Sequence, residues 1–407
     1  MKNEPTRLPD VVESIRSGLI YYFLTTGIVA IGLVVGSGLS NPFGSRGYTF
    51  NQTNEAYANW DGQWYVSIAT QGYRFEDGKV SSVAFFPGYP VIGAAFGRMF
   101  HIQYDLAMLI VANLTLAMSF ILAAHYLAIT RADSDPRLSG YVLMSMGLFP
   151  PSFFFRMAYS EGLFLLILLA VLHLLNRGKR LFTAAFLIGL ATATRALGVA
   201  LIPALVVVAY KNRRSSVPFA RFMVILLPLS CWGLFAYLTY LQFRFHNAFA
   251  FAAAQESFRI RPPTTLLHRF LSLISFEPIR ALYDANGEHH WSKISGLDNP
   301  FLSIRSADPV YFMIAAALTI VGAFKRWLTH VETLTSAFLL LIPYVTIGYE
   351  QYMQSMARYS AAAAPIYIVM GVIFCKIPPS IVGAIAGICG MFMGLYAALF
   401  SAWYVII

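Results

Sequence analysis

An all-α integral membrane protein of about eleven transmembrane helices is the fold the sequence predicts, and three observations predict it. Hydrophobic residues make up 58% of the 407 and charged residues only 12%, against roughly 25% charged in an ordinary soluble domain. That balance exceeds what one globular core hides and fits a chain dissolved largely in lipid, with about 20 residues to each span. Apolar stretches of that length recur from one end of the chain to the other. The net charge of +10 is gathered into short clusters: Arg177, Lys179 and Arg180, then Lys211, Arg213 and Arg214, then Lys325 and Arg326. Each cluster joins two apolar stretches, the pattern of short cytoplasmic loops. No aromatic-plus-basic module accompanies the charge, so nucleic acid is not the expected partner.

Taken in order, the spans fall near 17–39, 106–129, 138–155, 159–176, 181–195, 196–210, 219–241, 308–324, 333–349, 359–375 and 381–403. The first follows a few mixed charges and shows no small-residue cleavage site, so it reads as a retained span and not a signal peptide. With a cytoplasmic N-terminus, the three basic clusters and Lys376 all land in the cytoplasm and the C-terminus ends outside. Cys231, Cys375 and Cys389 lie within apolar stretches, so buried thiols and no disulfide framework are expected.

Two long segments, 40–105 and 243–307, lie between spans. The first predicts two amphipathic helices on the membrane surface, within a single polytopic domain covering 1–407. One runs from Asn59 to a C-capping Gly72. The other starts near Pro87, a residue tolerated in a first helical turn, and reaches Phe100. Gly88, Gly93, Gly97 and Arg98 make this second helix weakly hydrophobic for a span. The later segment is rich in Arg, Pro and His and predicts a soluble loop with short helices. No internal repeat is visible, which counts against an inverted-repeat transporter.

The first segment opens on Trp60-Asp61-Gly62-Gln63-Trp64-Tyr65, which places a carboxylate among aromatics at the membrane–water boundary. Alone, Asp61 reads as a helix cap, and Trp60, Trp64 and Tyr65 as interfacial anchors, with Trp64 also suited to stacking on a sugar. Glu76 and Asp77 sit in a polar turn whose spacing matches no strong metal motif, so no metal or other cofactor is expected. Glu161, near the end of a span, calls for a partner, and Arg156 is the nearest cation in sequence. That carboxylate reads either as half of a structural ion pair or as a substrate contact, and Tyr159 or Ser160 as a sugar contact. Arg195 suits a phosphate because its planar fork donates two bonds at once; a lipid headgroup is the plainer use. Gln255, Arg259 and Arg261 lie in the second loop, where His289, His290 and Trp291 read as solvent-exposed.

These markers, in order, resemble the PIG-V family of mannosyltransferases. The resemblance rests on Trp60 to Tyr65, Ile68, Gly72-Tyr73 and Phe85-Phe86-Pro87-Gly88-Tyr89-Pro90. It continues through Tyr159-Ser160-Glu161, Ala193-Thr194-Arg195, Phe249 with Gln255-Glu256, and Arg358-Tyr359 with Pro365. It implies a GT-C-type helical bundle with extracytoplasmic juxtamembrane helices, using a polyprenyl-phosphate-linked sugar at the non-cytoplasmic face. In eukaryotes such enzymes add a mannose during GPI-anchor synthesis; this chain is more like the shorter bacterial members. The membrane is the plasma membrane in a bacterium and the endoplasmic reticulum in a eukaryote.

A polyprenyl phosphate leaves readily, so the transfer needs a base for the acceptor hydroxyl and positive charge for the departing phosphate. The resemblance implies Asp61 as the base and Arg195 as the phosphate ligand, helped by Arg358 or Arg259. Trp60, Trp64, Tyr65, Tyr159, Glu161, Gln255 and Tyr359 are the further expected substrate contacts, and the acceptor is a membrane lipid or glycolipid. One carboxylate suffices for inversion; retention would need a second as nucleophile. The rivals are a transporter or flippase, which keeps its charges near the bilayer midplane, and a non-catalytic subunit on an enzyme's scaffold.

Overall fold

The computed structural model of the chain describes residues 11–38, 56–178, 180–212, 219–296 and 298–404. Lys179, Arg213 and Arg214 of the basic clusters, and the start of the first long segment, lie outside the described residues. Among the described residues all regular structure is helical.

The chain begins with α1, Val11–Ser37, and a short 3₁₀ turn at Ala56–Ala58 leads into α2, Asp61–Gln71. Next come α3, Gly88–Phe100, and α4, Tyr104–Thr130. α5, Leu138–Leu148, breaks at Phe149 into a 3₁₀ turn, Pro150–Arg156, bent by 76°; the two prolines there end the regular hydrogen-bond ladder. α6, Glu161–Asn176, and α7, Leu181–Thr194, form a hairpin, and a 3₁₀ turn at Ala196–Leu201 starts α8, Ile202–Lys211. α9, Phe219–Ser230, and α10, Trp232–Phe245, make one bent pair. The second long segment holds α11, Ala250–Glu256, α12, Leu266–Ile274, α13, Glu277–Tyr283, and α14, Trp291–Ser295. α15, Ile304–Phe324, precedes α16, His330–Pro343, which loosens into a π turn at Tyr344–Gly348. α17, Met356–Ala361, α18, Pro365–Phe374, and α19, Pro379–Ser401, complete the chain.

Among the described residues five helices are long and apolar enough to cross a membrane, or seven if each bent pair is one span. α6, α7, the Ala196–Lys211 stretch and α18 are apolar but shorter. The expectation of about eleven spans therefore exceeds what helix length alone carries. Expected spans are interrupted at Phe149, Cys231 and Ala362, and a 3₁₀ turn follows Arg195, where two expected spans meet.

Both helices expected in the first segment form, but α2 is buried in the protein from Gly62 to Ala69, where an amphipathic helix was expected. α2 ends on Gly72 at φ 76°, a left-handed backbone that only glycine adopts without penalty. α3 lies against α4 and α7, which explains its glycines: a Cβ on Gly93 would stand 2.5 Å from Met108 Sδ, and one on Gly88 would stand 2.7 Å from Thr194 Oγ1. Weak hydrophobicity here is the cost of close packing.

The bundle has two chemically distinct ends. At one, Arg131 meets Glu332 and the Trp327 carbonyl, Thr329 bonds Asn176, Asn212 bonds the Gly178 carbonyl and Arg137 reaches the Cys375 carbonyl. Arg177, Lys325 and Arg326 occupy neighbouring turns of that end. The other end gathers the start of α2, the start of α6, the end of α7 and α17.

Candidate active site

Asp61 is the first residue of α2, and Arg358 lies in the first turn of α17; both follow backbone in the sparsely populated left-handed region. Trp60 has φ 58°, and Tyr352, Met353 and Ser355 have φ of 47°, 64° and 60°. Non-glycine residues hold such angles only where their surroundings over-determine them, and they concentrate at functional sites.

The surroundings here are specific. Tyr159, fully buried, accepts a hydrogen bond from the Asp61 N–H at 3.1 Å and donates to the Asn59 carbonyl at 3.1 Å. Asn59 in turn donates to the Phe400 carbonyl at 3.0 Å, which pins the turn to α19. On the other side, buried Asp308 of α15 accepts from the N–H groups of Ser355 at 3.2 Å and Ala357 at 2.8 Å, capping α17 from a neighbouring helix. Arg305 donates to the Gln351 carbonyl at 2.6 Å and holds the same turn.

Between these anchors runs a chain of four charges. Arg358 Nη1 donates to Asp61 Oδ2 at 2.5 Å, and its Nε donates to Glu161 Oε1. Glu161 Oε1 also accepts from Arg195 Nη1, which bonds Ser160 Oγ at 3.3 Å. Ser160 Oγ meets the Tyr65 hydroxyl at 3.0 Å. The Arg358 guanidinium lies over the Tyr159 ring at 4.6 Å, and that of Arg195 over the Tyr359 ring at 5.4 Å. Two carboxylates and two guanidiniums balance, which is what buried charge requires. The chain is graded: side-chain exposure is 1% at Glu161 and 6% at Arg358, against 12% at Arg195 and 18% at Asp61. The outer members, Arg195 and Asp61, are the more exposed.

Burial works against the Arg358 charge, but the Glu161 and Asp61 carboxylates outweigh it and hold the guanidinium well above its ordinary range. Burial, with Glu161 next, pushes the Tyr65 phenol up, so that hydroxyl stays protonated. Glu161 also stands at the start of α6, where the helix dipole favours an anion.

Seven of the expected site residues thus come together: Asp61, Tyr65, Tyr159, Glu161, Arg195, Arg358 and Tyr359. Others are placed differently. Arg156 is not the partner of Glu161; it turns to α1 and bonds Thr25 at 2.5 Å and Thr26 at 3.1 Å. The 3₁₀ turn that ends at Arg156 sends successive side chains in divergent directions, and nearness in sequence misleads. Tyr159 spends its hydroxyl on backbone and has none exposed for a sugar. Trp60, Trp64 and Tyr65 are enclosed by protein, not set as interfacial anchors: Trp60 packs on Trp403 and Trp64 stacks on Phe85 at 5.6 Å. Gln255 donates to the Ala84 carbonyl at 3.3 Å, beside the Phe85 ring. Arg259 belongs to a separate group with Glu256 and Glu350, both at 3.2 Å. His289 and His290 are half-buried and Trp291 buried; His289 stacks on Tyr352 at 4.0 Å, where exposure to solvent was expected. Glu76 stays exposed in its turn, paired with Lys79.

Asn59, Arg305 and Asp308 were not among the residues expected at the site. A signal for Asp308 was present, since a lone acid opening an apolar span is as costly as Glu161 and calls for a partner by the same argument.

Residues 39–376 match the family model described as Mannosyltransferase (PIG-V). Over 150 residues the chain is 31% identical to GPI alpha-1,6-mannosyltransferase 2 of Homo sapiens and 29% identical to the protein of that name from Cricetulus griseus. Each match takes in 35% of this chain and 29% of the relative's length. Among solved structures, the apo oligosaccharyltransferase of Archaeoglobus fulgidus overlaps 93% of this chain and 56% of its own, at 13% identity and a TM-score of 0.45. The same protein tethered to an acceptor peptide overlaps 94% at a TM-score of 0.41. That overlap carries no residue role.

Proposed function

Because the chain belongs to the mannosyltransferase (PIG-V) family, we propose that it transfers a sugar, mannose by family, from a polyprenyl-phosphate-linked donor to a hydroxyl of a membrane lipid or glycolipid. The observation that carries this reading is the graded ion chain, with a carboxylate at one outer end and a guanidinium at the other.

In the proposed reaction Asp61 takes the acceptor's hydroxyl proton. The acceptor oxygen attacks the anomeric carbon, the bond from that carbon to the phosphate oxygen breaks, and the phosphate leaves with the electron pair. A single displacement inverts the configuration. Arg195 receives the growing phosphate charge: its Nη1 is engaged by Glu161 and Ser160, while Nε and Nη2 bond nothing else among the described residues. Those two nitrogens form the edge that grips a phosphate with paired bonds. Arg358 is taken up by two carboxylates, which suits it to keep Asp61 ionised and aimed and less to bind phosphate. Glu161 holds both guanidiniums on one oxygen and fixes the spacing between base and phosphate site.

The face is extracytoplasmic on this reading, because the basic turns collect at the opposite end of the bundle, the arrangement short cytoplasmic loops adopt. The gathering of the ion chain at one end also favours surface chemistry over passage through the bilayer. The experiment is transfer of radiolabel from polyprenyl-phosphate-mannose into a lipid extract. The wild type labels lipid and Asp61→Asn does not; equal labelling by both removes the catalytic reading.

A further inference from the structure

α12 is built inside out. At 100° per residue, Leu266, Leu267, Phe270, Leu271 and Ile274 share one arc of about 140°, and each is between 56% and 85% exposed. The opposite arc carries Arg269 and Ser272, and these face the protein. Arg269 donates to the Val345 carbonyl at 2.5 Å and to Glu350 at 3.3 Å, while Ser272 is buried. In a helix lying on a water-washed surface the two faces would be exchanged, since apolar area turned outward forfeits its burial.

The position of the helix says what covers that face. Tyr344, which follows the last turn of α16, donates to the Leu273 carbonyl at 2.8 Å and tilts its ring against Phe276 at 6.4 Å. α16 with its π turn is one of the helices long and apolar enough to cross a membrane. The apolar arc of α12 therefore continues from the end of a span, at the level where the hydrocarbon gives way to headgroups. An apolar face with a polar opposite face is how a helix lies in that plane.

We propose that α12 is a membrane-surface helix whose apolar face is immersed in the bilayer beside the end of α16, with phospholipid acyl chains as its occupant. Its polar face then holds the Val345–Glu350 stretch, which leads through the turn at 352–355 to Arg358. The bilayer, through α12, bears on the segment that presents the guanidinium.

The test uses the full chain in phospholipid nanodiscs with Cys231, Cys375 and Cys389 replaced by serine. A nitroxide is attached at Phe270→Cys or Leu271→Cys, and at His268→Cys on the other arc. Dissolved oxygen and an aqueous nickel chelate are then compared as relaxing agents. The proposal expects oxygen to dominate at 270 and 271, and the nickel chelate to gain relative to oxygen at 268. Nickel relaxation at 270 and 271 equal to that at 268 overturns it in favour of water. Exclusion of both agents at 270 and 271 overturns it in favour of a protein cover, such as a second copy. Should the serine background fail to fold, Phe270→Trp in lipids brominated on the acyl chains reads the same depth. Quenching in excess of the wild type's supports immersion, and unchanged quenching refutes it. The readout is position alone and is independent of sugar transfer.

Discussion

Glu161 Oε1 accepts from two guanidiniums at once, and that crowding is what the residue is for. Breaking a buried ion pair by removing one partner leaves uncompensated charge and costs about 3–5 kcal/mol. Glu161→Ala is therefore expected to lower the thermal midpoint in detergent markedly; an unchanged midpoint contradicts the ion chain. Arg195→Ala should raise the donor KM about ten-fold or more, since a hydrogen bond to a charged group contributes ~1.5–3 kcal/mol. Lysine should restore only part of that, because an ammonium lacks the planar fork. A donor KM unmoved by the alanine change removes Arg195 from the phosphate site. Much of this was readable in the chain: Asp61, Glu161, Arg195 and Arg358 stand out as charges beside apolar runs. Their pairing was not readable, because Glu161 meets Arg195 and Arg358 across sequence separations of 34 and 197 residues. A one-dimensional reading supplied Arg156, the near neighbour, in their place.

α17 is only six residues long, Met356–Ala361, too short to persist on its own propensity. Its direction is set from outside, by Asp308 on its first N–H groups and by the left-handed residues that precede it. Loss of a helix cap costs about 0.5–2 kcal/mol, which leaves the fold standing but frees the element that carries Arg358. Asp308→Ala should lower kcat while leaving the donor KM near its wild-type value. Asp308→Asn, which keeps an acceptor oxygen, should recover most of the loss. Wild-type turnover in the alanine variant would show that Asp308 has no positioning role. Elements defined by a strong local rule were foreseeable: α2 ends at Gly72 and α3 begins after Pro87 as their residue types require. α17 was not, since it depends on Asp308, distant in sequence; the break at Phe149 has its cause next to it, in Pro150 and Pro151, which a hydropathy stretch passes over.

Across the whole molecule, a basic end stands opposite the end that holds the ion chain. Charges at the basic end come from loops one or two turns long, and composition alone reveals them. The number of spans is harder to read, since a hydropathy stretch cannot tell a straight helix from one that breaks beside a site. The two ends make a topology prediction. A membrane-impermeant maleimide on intact cells should label Lys79→Cys and Asn286→Cys, and should reach Lys325→Cys only after lysis. The reverse pattern would place the ion chain on the cytoplasmic face and contradict the proposed orientation.

The most direct measurement is the initial rate of radiolabel transfer from polyprenyl-phosphate-mannose by purified wild type and Asp61→Asn at matched thermal stability. General-base catalysis contributes roughly 10²–10⁴-fold, and a loss of that order is the predicted result. Transfer by Asp61→Asn at the wild-type rate would contradict the assignment of Asp61 as the base.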